Sequence, residues 1–98
     1  HDGAQQFVQA FMMTQKPVAA ICHAAWLLIS ARVIRGCTLT AYHSLKDDIC
    51  NAGAHYVDQA VCVDQNLITS RCPDDIPAFA SAIHALLLGQ PLTFLQHA

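Results

Sequence analysis

The residues best suited to chemistry are Cys22 and His23, adjacent within Pro17-Val18-Ala19-Ala20-Ile21-Cys22-His23-Ala24-Ala25-Trp26. A thiolate is a strong nucleophile, and an imidazole exchanges protons near neutral pH. The apolar run before Cys22 reads as a strand, and the residues after it begin a helix-period pattern with no loop former between them. The chain is therefore expected to turn sharply from strand to helix at Cys22. At such an elbow the side chain projects from the end of the sheet, and the first free amides of the helix point towards it. Their partial positive charge favours a thiolate. Ala20, Ala24 and Ala25 are small enough for strand and helix to approach closely there. A plainer account fits the same residues: Cys22 as a small hydrophobe ending a buried strand, His23 as a helix cap. A Cys-His pair alone does not separate the two.

The elements that would position this pair can be read along the chain. Asp2 is placed as the N-cap of a first helix whose apolar stripe is Phe7, Val8, Phe11 and Met12. Lys16-Pro17 stops it, because the residue before proline is driven out of the α region. After the elbow, Trp26, Leu27, Ile29, Val33 and Ile34 carry a second helix to Arg35, with Gly36 as its C′ residue. Thr38 to Tyr42 alternates as a short strand. Ser44 and Asp47 resemble a capping box for a helix ending at Gly53. Val61, Val63, Leu67 and Thr69 flank Asp64-Gln65-Asn66, which reads as a hairpin turn. Pro73, Asp74, Asp75 and Pro77 open a last helix with the stripe Phe79, Ile83, Leu86 and Leu87, closed by Gly89 and Pro91. The order α-β-α-β-α-β-β-α predicts an α/β layered sheet with helices on both faces. Three or four strands make a thin sheet, so part of the domain is expected to lie outside this sequence.

Composition narrows the function. The chain has 98 residues, 54% of them hydrophobic and 12% charged, with a net charge of −2. That suits one compact core and supplies no basic face for nucleic acid and no polybasic segment for an acidic membrane. No apolar run approaches the ~20 residues that span a bilayer. Five cysteines, at 22, 37, 50, 62 and 72, include no CxxC pair and no zinc-like spacing. Reduced thiols in a cytoplasmic protein are the simplest account, and nothing calls for a metal or cofactor. The chain begins without Met, and its seven acidic residues are all Asp. Arg71 with Asp74 and Asp75 is expected to form a structural ion pair. Met12, Met13, Trp26 and the other four cysteines are expected in the core, and His1, His55, His84 and His97 on the surface.

Several stretches taken together resemble the C-terminal half of the DJ-1/PfpI superfamily, within the class I glutamine amidotransferase-like fold, and most closely its PfpI-like intracellular protease branch. They are Lys16 to His23, Leu27-Leu28-Ile29-Ser30-Ala31, Lys46-Asp47-Asp48, Asn51-Ala52-Gly53-Ala54, and Asn66 to Arg71 followed by Pro73-Asp74-Asp75. The resemblance implies that residues 1–98 are the C-terminal part of one flavodoxin-like domain, with Cys22 as nucleophile and His23 as its acid/base or orienting partner. It also implies that the acidic partner and one oxyanion amide come from an N-terminal half not contained here, which agrees with the lack of Glu. The other oxyanion donor would be the His23 amide. Four positions depart from the family pattern. Ala24 stands for a glycine, His43 for a frequent proline, Gln65 for a turn glycine and Cys72 for a common glycine.

The expected function is a cysteine-dependent, hydrolase- or peptidase-like enzyme acting on a small carbonyl or peptide substrate. A cofactor-independent glyoxalase or protein deglycase is the alternative. A non-enzymatic redox-sensing or chaperone-like stress protein is a third reading. The partners expected are the missing half and, through an unpaired sheet edge, further copies of the chain, with neither nucleic acid nor membrane.

Overall fold

The computed structural model describes residues 2–89. The order is α1 (Asp2–Met13), β1 (Val18–Ile21), a 3-10 turn (Cys22–Ala24), α2 (Ala25–Ser30), β2 (Thr38–Leu39), a second 3-10 turn (His43–Leu45), α3 (Lys46–Asn51), β3 (His55–Tyr56), β4 (Val61–Asp64), β5 (Leu67–Ser70), a third 3-10 turn (Pro73–Asp75) and α4 (Ile76–Leu87). β1 pairs parallel with β5, and β5 antiparallel with β4, in the spatial order β1-β5-β4. β2 and β3 form a separate parallel pair. The two sheets are tied by side chains: Asp64 Oδ2 accepts the Thr38 N–H at 2.7 Å and Thr69 Oγ1 accepts the Thr40 N–H at 2.9 Å.

Strand alternation places apolar groups on both faces of β5. Leu67 joins Ala25, Leu28, Ile34, Leu39, Leu45 and Ile49 in one core, flanked by Val8 and Met12 of α1. Ile68 turns the other way, towards Val61 and to Ala82 and Ala85 of α4. The sheet thus carries helices on both faces, as an α/β architecture requires. Asn66, in the hairpin turn, donates through Nδ2 to the Lys16 carbonyl at 2.9 Å and so fixes the entry to β1.

Several boundaries differ from the sequence reading. α2 stops at Ser30 rather than Arg35, because Arg32 takes φ +61 and the chain closes a Schellman arrangement, with Val33 N–H on Leu28 C=O at 3.4 Å and Arg32 N–H on Ile29 C=O at 3.0 Å. β2 ends at Leu39, since Tyr42 N–H is engaged elsewhere, and the two-residue β3 was not anticipated. Ser44 caps nothing: it lies inside the second 3-10 turn, and α3 has no side-chain cap. α1 begins at Asp2, the first described residue. Trp26 is 54% exposed and Met13 83%, so neither is core. Cys50 is exposed as well. Gln65 has φ +54, at the turn where glycine was missing, whereas Cys72 has φ −162 and needs no glycine. Pro91, His1 and His97 lie outside the described residues.

Candidate active site

Cys22 follows directly on β1 and begins the 3-10 turn that leads into α2. Its φ of +61 is a left-handed conformation that L-residues adopt only under constraint, at about 1 kcal/mol or more. The constraint is visible on both sides. Ile21 is held opposite Ser70 in the parallel ladder, and the Cys22 carbonyl accepts the Tyr42 N–H at 3.1 Å. This second bond ties Tyr42 to the elbow.

The result brings the two predicted residues together. Cys22 Sγ lies 3.4 Å from His23 Nδ1, within reach of a sulfur hydrogen bond. With Nδ1 unprotonated the ring accepts the thiol proton, and with Nδ1–H it stabilises a thiolate; the two states are the start and end of a proton transfer. Cys22 is half-buried and His23 exposed. The His23 amide lies at the second position of the turn, among the N–H groups that have no acceptor within it.

Two further residues join this group. Tyr42 packs its ring on His23, with centroids 4.7 Å apart, and His43 packs on Tyr42 at 4.4 Å. His23 is thereby restrained by an aromatic face, since no carboxylate of the described residues bonds its ring. Ser70, the register partner of Ile21, is fully buried, and its hydroxyl has no hydrogen-bond partner among the described residues. Neither Tyr42 nor Ser70 was singled out by sequence. The departure from proline at 43 was the one signal pointing to this segment.

Other polar groups lie away from the elbow or hold the frame. Arg71 grips Asp75 in a bidentate pair, Nε to Oδ2 and Nη2 to Oδ1, both at 2.9 Å, and its backbone N–H adds a third bond at 3.0 Å. Arg71 also reaches Asp58 at 2.9 Å, where Asp74 had been expected. These hydrogen bonds hold the Asp75 carboxyl below the usual range and the Arg71 guanidinium above its own. Burial, with the Asp64 charge second, pushes the Cys37 thiol up and the Cys62 thiol up to about 11. A cleft of about 630 Å³ between α1 and the hairpin, lined by Met12, Met13, Arg32, Arg35, Asp64 and Asn66 among others, opens at the far end of β1 and β5 from Cys22. Neither Cys22 nor His23 lines it. Among the described residues no three His, Cys or Asp gather as metal ligands.

A strained cysteine at a strand-to-helix elbow, a histidine beside it and helices on both faces of a partly parallel sheet define a class of α/β proteins with a cysteine at the elbow. The chain belongs to the DJ-1/PfpI family, whose model matches residues 1–86. It is 55% identical over 74 residues to protein/nucleic acid deglycase 2 of Escherichia coli, covering 74% of this chain and 43% of that protein. It is 54% identical over 84 residues to general stress protein 18 of Bacillus subtilis, covering 84% and 48%. The crystal structure of Drosophila melanogaster DJ-1beta superposes with a TM-score of 0.80 at 33% identity, over 96% of this chain and 53% of that one. The chain spans about half the length of the relatives it matches. Among the described residues no helix is long and apolar enough to cross a membrane.

Proposed function

We propose that this chain carries the nucleophile and base of a cysteine-dependent hydrolase acting on an electrophilic carbonyl. The observation that carries the reading is the contact of Cys22 Sγ with His23 Nδ1 at 3.4 Å, on a backbone held at φ +61. Sγ attacks the carbonyl carbon, its proton passes to His23, and the His23 amide is placed to receive the developing oxyanion. His23 then returns the proton to the leaving group, and water releases the covalent adduct. A peptide bond would be cleaved by these steps, whereas at a glycated amine Sγ would form its bond at the carbinol carbon as the C–N bond breaks, the amine would take the proton from His23, and the resulting hemithioacetal would isomerise to a thioester that water releases. The 55% identity to a protein named deglycase favours the second of these substrates. Glyoxalase chemistry, in which free methylglyoxal forms the hemithioacetal on Cys22, this isomerises to a thioester and water then hydrolyses it, is the competing reading, and a cytoplasmic setting fits all three.

The residues 1–98 are one part of the domain in this reading, and a carboxyl group from the other part orients His23. Removing an orienting acid of this kind can cost on the order of 10⁴ in rate. The isolated chain is therefore expected to be nearly inactive towards a methylglyoxal-glycated peptide, an unmodified peptide and free methylglyoxal, and the complete protein active on one of them. Cys22→Ser in the complete protein should abolish that activity. Full turnover by the isolated chain would show that one of its own Asp residues serves His23, and activity surviving Cys22→Ser would remove the nucleophile.

A further inference from the structure

His23 is exposed, and an exposed side chain samples several rotamers, whereas the contact of Nδ1 with Cys22 Sγ at 3.4 Å needs one of them. The imidazole also meets the ring of Tyr42, with centroids 4.7 Å apart and planes tilted by 36°. Tyr42 is anchored through its backbone. Its N–H donates to the Cys22 carbonyl at 3.1 Å, and its carbonyl accepts the N–H of the buried Leu45 at 2.9 Å. These bonds fix the main chain but leave the side-chain torsions of the ring open. His43 meets that same ring, with centroids 4.4 Å apart and again a tilt of 36°. The His43 backbone is set by the 3-10 turn it opens, where its carbonyl accepts the Lys46 N–H. Three rings thus run from the reactive pair to the second 3-10 turn. Proline, frequent at this position in the family pattern, would fit the backbone. Tyr42 has φ −55 and ψ 137, the region a residue before proline prefers, and at the first position of a turn a missing N–H removes no bond of the turn. What histidine adds here is the ring.

We infer that His43 is a positioning residue for the Cys22–His23 pair, acting through Tyr42. A neutral imidazole packs on the tyrosine as one aromatic face on another, and a protonated one as a cation on its face, so His43 holds the Tyr42 ring in either charge state. Held there, the Tyr42 ring limits the swing of the His23 imidazole and keeps Nδ1 at the sulfur. The thiol proton then leaves along a contact already made. The inference rests on Cys22 and His23 being the reactive pair of the proposed function.

The test measures the rate at which iodoacetamide labels Cys22 at pH 7 in the complete protein, together with kcat and KM on the substrate it turns over. The variants are His43→Pro, His43→Ala and His43→Phe, each made also in a His23→Ala background. Loss of the ring in His43→Pro and His43→Ala should slow labelling and lower kcat by about 2–10-fold, the range that one aromatic pair can shift, with KM changed by less than about twofold. His43→Phe, which restores a ring, should return both rates to within about twofold of wild type. Behind His23→Ala none of the three should slow labelling further, because the effect passes through that imidazole. Equal labelling in wild type, His43→Pro and His43→Ala overturns the inference. So does a His43→Phe variant as slow as His43→Ala, or the same slowing behind His23→Ala, which would mark a structural effect. The wild-type protein separates the two claims. A Cys22 that labels no faster than Cys50 overturns the proposed function and the positioning together, whereas a fast Cys22 indifferent to His43 overturns the positioning alone.

Discussion

Asp75 accepts three hydrogen bonds from Arg71 although it is only 5% exposed, and this makes one residue responsible for much of the frame behind β5. Its carboxyl is held below the ordinary value, chiefly by the Arg71 guanidinium. The folded pKa therefore lies under the unfolded one, so the stabilisation is complete above about pH 4–5 and is lost as pH falls through the folded value. Asp75→Asn is expected to lower stability by about 1–3 kcal/mol at pH 7 and by less at pH 3, where the unfolded carboxyl is already protonated, read from urea unfolding at the two pH values. An equal loss at both would show that the charge is irrelevant. Asp58→Asn, at a side chain 76% exposed, should change stability by less than about 1 kcal/mol. At this scale the sharp turn at Cys22, with His23 beside it, was legible in the sequence, because a change of hydrophobic period at a cysteine is a local signal. Tyr42 was hidden, since its stacking on His23 exists only after β2 has returned across the elbow. Trp26 and Met13 misled because apolar character does not say which face of a helix finds a neighbour.

The β4–β5 hairpin shows what one unsuited turn residue does to an element. Gln65 is exposed and held at φ +54, where a side chain crowds its own backbone. Gln65→Gly is expected to raise stability by about 0.5–1 kcal/mol, the relief of strain exceeding the added freedom of the unfolded chain. A lower thermal midpoint for this variant would mean that the turn is not strained. The hairpin was legible because Asp-Gln-Asn between two alternating runs is turn chemistry. The end of α2 was not, for the left-handed residue is Arg32 and nothing in an arginine announces a helix stop. β3 escaped because two residues are too few to show a period, and its place is set by pairing with β2. The capping box failed for a related reason. Leu45 and Ile49 are buried, and packing them tightens the chain into a 3-10 turn that leaves Ser44 facing solvent.

At the scale of the whole molecule, β1 is paired on one edge only among the described residues, and Ala19 in its middle is exposed. Phe7, Trp26, Ile76 and Leu87 are exposed as well. An open edge beside apolar side chains invites pairing. The isolated chain is expected to self-associate or to bind the rest of its domain, and sedimentation velocity over a range of concentrations tests this. A single monomer species at every concentration would mean that the strand inventory is closed. The two-faced core was legible in the order of elements, whereas the openness of the β1 edge depends on strand order, which no periodicity encodes. One consequence reaches back to the sulfur. Cys22 follows directly on the strand that has one open edge among the described residues, so docking there would stiffen the elbow from beneath. Cys22 would then serve as a built-in gauge of assembly, its labelling rate changing as the domain closes, with no probe attached elsewhere.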